Sequence, residues 1–228
     1  MSGNGITIRP LGSDDWQLYR DMRLAALKHD PGVFFGNYEE EASRSADEWR
    51  AEVCDANDGF LGMFDGDRII GTVGVTTDKG SGFIRNEIAS HPLTALRSVF
   101  NAVSSMGLKK AFACAVESLT GRTAWLGEIF IDPEYRGHHL STPLYQAGVD
   151  WALAHPELKG LMAAVRKSNA ASNAAIREHG FDRLYDAPFT WPDGRTEPDV
   201  VYRIDLDPLR RKLATAAQLA PASAPAVI

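Results

Sequence analysis

Cysteine is scarce in this chain. Cys54 and Cys114 are its only two. They are too few for a disulfide framework and lack metal-ligand spacing, so two reduced, partly buried thiols are expected. Positive charge is in the minority, with 24 Lys and Arg against 30 Asp and Glu and a net charge of −6. Phosphate backbones call for a basic face, so nucleic acid is not expected as a partner. A cationic or amine substrate is compatible with the balance. No apolar run approaches the roughly 18 residues of a membrane span, and no membrane partner is expected. The opening Met1–Pro10 lacks a basic patch followed by an apolar core, so it does not read as a signal peptide. Cytoplasm is the expected location. Three catalytic signatures are missing as well: the Gly-x-x-x-x-Gly-Lys-Ser/Thr phosphate loop, the His-Glu-x-x-His zinc pair and the Gly-x-Ser-x-Gly elbow.

What is present is an ordinary globular composition. Its 228 residues, 44% of them hydrophobic, suffice for a core without disulfide or metal staples. Ile6–Arg9 alternates and predicts a first strand. A helix follows, with Leu18, Met22 and Ala25 or Ala26 as its buried face. Ser45-Ala-Asp-Glu48 is a capping-box pattern opening a second helix. Phe60–Phe64 and Arg68–Thr76 flank Asp65-Gly66-Asp67, a hairpin signal. Ala124–Ile131 reads as a strand, and Leu140, Leu144, Ala147 and Trp151 as a helical stripe. Leu161–Val165 reads as a doubly buried strand. Asn169–His179 reads as a helix ended by Gly180. Phe181–Phe189 and Val200–Leu206 form a closing hairpin around Pro192-Asp193-Gly194. The order predicts a mixed α/β sheet.

Two stretches fall outside that minimal pattern. Residues 78–122 are too long and too apolar for a plain loop. Leu93, Leu96, Val99 and Val103, then Leu108, Phe112 and Val116, suggest two helical pieces separated by Gly107. This insert is a candidate dimer or partner surface. Beyond Pro208 the chain becomes rich in Ala and Pro and is expected to fray.

Chemistry concentrates in Glu128-Ile-Phe-Ile-Asp-Pro-Glu-Tyr-Arg-Gly-His-His-Leu-Ser-Thr-Pro-Leu144. A strand ends at Asp132-Pro133, a turn holds Arg136-Gly137, and a helix starts near Thr142-Pro143. Such a strand-loop-helix leaves backbone N–H groups unpaired beside the positive end of a helix dipole, which makes an anion site suited to a pyrophosphate. Ile131-Asp-Pro-Glu-Tyr-Arg-Gly137 resembles the cofactor signature of the GNAT N-acyltransferases. Asn169-Ala-Ala-Ser172, followed by Glu178-His-Gly-Phe181, resembles the second helix of that family.

The resemblance covers about Ile6 to Leu206 without the insert. It implies a mostly antiparallel central sheet flanked by helices, with the helical insert between strands 3 and 4. Residues 1–206 would form the acyltransferase domain and 207–228 a flexible tail. It implies acetyl-CoA as co-substrate. Ile129, Phe130 and Ile131 would orient the pantetheine with Asn169 and Ser172. Arg136, Gly137, His138, His139, Leu140, Ser141 and Thr142 would hold the pyrophosphate. His139 departs from the family, which places glycine there. Either its Cβ crowds the phosphate and asks for another backbone angle, or its imidazole donates to a phosphate oxygen. Pro143 removes one amide donor.

The acid–base pair used by some members is missing, because Ala164 and Ile176 stand at those positions. Glu128 is the replacement candidate for the base, with a strand-end salt bridge as its plain alternative. Tyr145 is a candidate acid, with core packing as its alternative. The implied reaction moves an acetyl group to a primary amine of a small molecule or peptide by direct attack. A weak or inactive CoA-binding or protein-interaction module on the same fold is the competing reading.

Overall fold

The hairpin at Asp65-Gly66-Asp67 joins the second and third strands of a seven-stranded sheet in the computed structural model, which describes residues 5–77, 101–120 and 122–219. Gly66 takes φ 60° in its turn, a left-handed angle that glycine reaches without a Cβ penalty. The turn joins β2 (Gly59–Asp65) to β3 (Arg68–Thr77), paired antiparallel from Gly59↔Val75 to Asp65↔Arg68. β1 (Thr7–Pro10) adds to β2, and β4 (Thr123–Ile131) adds antiparallel to β3. β5 (Gly160–Arg166) follows parallel to β4. β6 (Asp182–Ala187) and β7 (Asp199–Asp205) complete the order β1-β2-β3-β4-β5-β7-β6.

Alternation along the strands sorts their side chains to two faces. Leu61, Met63, Ile70, Val73, Val75, Leu126, Leu161, Ala163, Val200 and Tyr202 form one buried cluster. α5 (Ser141–Leu153) packs there through Leu144, Val149 and Ala152, and α6 (Ala170–Glu178) through Ile176. α5 lies close to the sheet because Gly148 has no side chain; a Cβ there would meet Leu126 at 2.3 Å. Phe60, Phe64, Ile69 and Phe130 form a second cluster with α1 (Trp16–His29) and α3 (Ala46–Val53). α2 (Tyr38–Ala42) connects those two helices, and Asn37 caps it.

A helical stretch at 101–106 and α4 (Leu108–Leu119) carry the described part of the insert, separated by Gly107 at φ 81°. Asn101 Nδ2 donates to Asp186 O at 2.7 Å, and Arg203 pairs with Glu117 at 2.5 Å. Met106 joins Met162, Leu184 and Val201 in a third cluster. Residues 78–100, with Leu93, Leu96 and Val99, lie outside the described residues.

Four expectations need correction. Leu18 is 36% exposed, and the buried face of α1 is Tyr19, Met22, Arg23, Ala26 and Leu27. A 3-10 turn at Ser13–Asp15 precedes the helix. Leu108 is 71% exposed, since it opens α4 instead of continuing a stripe. Cys54 is exposed. Of the tail expected to be flexible, 207–219 is helical as part of α7 (Leu206–Leu219), and 220–228 lie outside the described residues. Arg210 holds the helix by donating to four carbonyls, those of Ala152, Leu153, His155 and Leu158, at 2.7–3.1 Å. They lie in the last turn of α5 and in the segment that follows it.

Candidate active site

β4 and β5 pair over only three positions, Thr123↔Gly160, Ala124↔Leu161 and Trp125↔Met162. Beyond them the strands part. A cleft of about 1200 Å³ opens there, lined by Ile129, Phe130 and Ile131 of β4, Arg166 of β5 and the starts of α5 and α6. The loop after α1 and the β6–β7 connection close its far side through Phe34 and Glu197. β4 also carries a bulge against β3, where the register slips between Thr72 and Gly74. Glu128 lies in that bulge at φ 54°. Left-handed backbone in a residue with a Cβ is uncommon and concentrates at functional sites.

The loop from β4 to α5 is held at both ends. Asp132 accepts from Glu134 N at 3.0 Å, and Arg68 pairs with Asp132 and Glu134 at 2.8 Å each. Arg136 Nε donates to Ile131 O at 3.1 Å. Gly137 then takes φ 85° and His139 φ 58°. His139 thus holds a left-handed angle with a Cβ, at a cost of about 1–2 kcal/mol. Leu140 follows in the right-handed region as N-cap of α5, with no side-chain cap bond. A left-handed residue followed by a right-handed one turns successive N–H groups toward one point, an anion-binding concavity. The first N–H groups of α5 add to it. Pro143, third in the helix, withholds one donor, and Thr142 N is spent on His139 O at 3.3 Å. A Cβ at Gly137 would meet nothing within 4 Å, so this part of the cradle is open. The residues present thus fit a pyrophosphate.

α6 presents Asn169 and Ser172 to the same cleft. Asn169 caps the helix, its Oδ1 accepting from Ser172 N at 3.1 Å. This leaves its amide N–H groups for a ligand carbonyl. The turn before α6 is pinned by Asn173, which sequence reasoning passed over. Its Nδ2 donates to Asn169 O at 2.7 Å and Arg166 O at 2.9 Å, and its Oδ1 accepts from Tyr202 at 2.7 Å. Tyr145 lines the cleft, stacked on His179 at 4.6 Å. Burial pushes its phenol up to about 12. Ile176 belongs to the apolar core.

Arg166 is a second residue that only the fold reveals. Its guanidinium donates to Gly32 O at 2.7 Å and to Asp193 and Glu197 at 2.8 Å each. It lies over the Trp191 ring at 5.2 Å, and Phe35 stacks on Trp191 at 5.1 Å. The arginine so ties together the two loops that wall the cleft. Its hydrogen bonds hold the Asp193 and Glu197 carboxyls below the usual range.

Glu128 does not line that cleft. Its carboxylate turns to α1, where Oε2 accepts from Tyr19 at 2.8 Å and Oε1 lies 3.6 Å from Arg23. Arg23 in turn makes a two-pronged pair with Glu41 at 2.7 and 2.8 Å. His138 and Thr142 also lie away from the lining, while Arg136, Gly137, His139, Leu140 and Ser141 belong to it. Among the described residues no group of His, Cys, Asp and Glu could hold a metal ion, and no helix is long and apolar enough to cross a membrane.

Residues 23–181 match the model of the acetyltransferase (GNAT) family. A search of curated proteins found no match. Among solved structures, an acetyltransferase of the GNAT family from Streptococcus pneumoniae superposes with TM-score 0.62 at 16% identity, over 89% of this chain and 99% of that one. The putative acetyltransferase yncA from Salmonella typhimurium, solved with acetyl-CoA, gives 0.61 at 15% identity, over 90% and 95%. Spermidine N-acetyltransferase from Vibrio cholerae, in complex with CoA and spermine, gives 0.58 at 16% identity, over 89% and 96%. At these identities the likeness is one of fold.

Proposed function

The chain belongs to the acetyltransferase (GNAT) family, and from that premise we propose that it transfers an acetyl group from acetyl-CoA to a primary amine of a small molecule or peptide, by direct attack within a ternary complex. The observation that carries this reading is the left-handed turn at His139, which runs into the uncapped start of α5 beside the parted strands. When bound, acetyl-CoA supplies a thioester whose C–S bond breaks as the amine's C–N bond forms, the sulfur leaving as a thiolate.

The chain's own groups supply orientation and proton handling. Loop amides from Gly137 to Ser141, with Arg136, hold the diphosphate. Asn169 and the β4 edge at Ile129–Ile131 orient the pantetheine arm. Backbone N–H groups near Ile131 polarise the carbonyl that gains charge. Glu128 takes the proton that the amine must lose, through a water, from the α1 side of the sheet where its carboxylate meets Tyr19 and Arg23. Tyr145, kept protonated by burial, supplies the proton that the sulfur takes up. Positioning alone supplies several kcal/mol of such a reaction, typically about 7–11 for well-oriented partners.

The test is thermal unfolding with acetyl-CoA, desulfo-CoA or ATP, followed by an amine panel. A dose-dependent rise with both CoA compounds and little with ATP is expected, since a ligand that binds only the folded state raises the melting point with concentration. No rise at millimolar ligand, or a rise without acetylation of any amine, would overturn the reading.

A further inference from the structure

Tyr19 has one hydroxyl proton and two carboxylate neighbours. Its Oη lies 2.8 Å from Glu128 Oε2 and 3.2 Å from Glu52 Oε1. A phenol donates only one hydrogen bond at a time. With the proton on the Glu128 side, the Glu52 carboxylate stands ready as the second acceptor, at the longer of the two contacts. The three side chains thus form an unbroken row of oxygens from the bulge of β4, through α1, to α3. Tyr19 is fully buried between the two carboxyls, 1% exposed, and its ring is locked against Trp49 and Phe60 at 5.8 and 4.9 Å. The side chains of Glu128 and Glu52, 24% and 25% exposed, stand at the two ends.

Resting on the reading of Glu128 as base, we propose that Glu128, Tyr19 and Glu52 form a proton relay that carries the amine's proton away from the acetyl-transfer site to the α3 surface. The amine's proton first reaches Glu128. Protonated Glu128 then gives that proton to Tyr19 Oη while Tyr19 passes its own hydroxyl proton to Glu52 Oε1. Glu128 is left as a carboxylate, Tyr19 as a neutral phenol and Glu52 as a carboxylic acid. Glu52 releases the proton to water, and the count of protons and charges is unchanged along the row.

The groups around the row suit that traffic. Burial, then the charge of Glu128, raises the Glu52 carboxyl, which Arg44 at 2.5 Å opposes. Burial and the two carboxylates keep the Tyr19 phenol well above its ordinary range, so it passes protons without becoming a phenolate. From α1, Arg23 faces Glu128, held by Glu41 of α2. From the segment before β2, the Asp58 carboxyl, raised to about 6 chiefly by burial, senses the same charge.

The experiment compares Tyr19→Phe, Glu52→Gln and their double variant with the parent, reading kcat, both KM values and the pH profile of kcat. Each single variant is expected to lower kcat about tenfold, a fraction of what a general base contributes, with both KM values within about twofold. The double variant should be no slower than the slower single, because one broken link stops the row. Glu52→Gln keeps the parent's kcat and profile if Tyr19 is only a structural clamp, and that result overturns the relay. Multiplying effects in the double variant overturn it as well. If Tyr19→Phe fails to fold, Glu52→Gln alone decides. Glu128→Gln separates the two levels. An inactive Glu128→Gln beside parent-like Tyr19→Phe and Glu52→Gln removes the relay and keeps the base, whereas a fully active Glu128→Gln removes both.

Discussion

Arg136 Nη2 lies 2.7 Å from Asp30 Oδ2, joining the loop before α5 to the end of α1 across the mouth of the cleft. Both side chains reach solvent, so the pair is worth no more than about 1 kcal/mol. A bound diphosphate would compete for the same guanidinium. Asp30→Asn should therefore tighten acetyl-CoA about two- to fivefold by titration calorimetry. Weaker binding would mean that Asp30 holds Arg136 in its working position.

His139 stores strain in the same loop. His139→Gly relieves a left-handed Cβ, partly offset by glycine's greater freedom in the unfolded chain, and should stabilise the protein by a net of about 0.5–1 kcal/mol in urea unfolding. Acetyl-CoA affinity should stay within about twofold, because the loop N–H groups are unaltered. A larger loss would show the imidazole itself donating to the ligand.

Asp199 gives a pH signature. It is 5% exposed, and its Oδ1 has no hydrogen-bond partner among the described residues. Burial, then the charge of Asp186, raises its carboxyl to about 8. Its folded value so lies above the ordinary one of about 3.9. Between those values the folded state keeps a proton that the unfolded state has lost. Stability from this group falls as pH rises from about 4 to about 8, by up to ~1.4 kcal/mol per unit. Asp199→Asn should gain on the parent steadily across that window in urea titrations. Parallel curves would place the group at an ordinary carboxylate value.

Arg210 tests the C-terminal helix. Arg210→Ala strips four carbonyls of a charged donor and should cost about 2–3 kcal/mol, read by chemical denaturation. Acetyl-CoA affinity should not change, since α7 does not line the cleft. An unchanged midpoint would mean that water replaces the guanidinium without loss.

What the sequence made legible was local. The turn at Gly66, the capping box of Ser45 and Glu48 and the strand-loop-helix around Arg136 each depend on a few neighbouring residues, and each formed as expected. What stayed hidden was polar and distant. Tyr19 and Glu128 are separated by 109 positions, and no spacing rule links them. A buried face read as apolar also passes over Arg23 and Tyr19, whose stems pack inside while their polar ends find partners. The tail was misread because its Ala- and Pro-rich composition suggests loose chain, and Pro208 does not prevent a helix there. It sits in the first turn of α7, where its missing N–H has no helical partner to lose.

The brief β4–β5 contact has a mechanical consequence. Three residue pairs weld two plates, β1 to β4 on one side and β5 to β7 on the other. Warming should loosen the molecule along that seam before either plate softens. A molecule lying in the seam and gripped by α5 on one plate and α6 on the other would act as a rivet, so that occupancy of the cleft and stiffness of the whole sheet rise together.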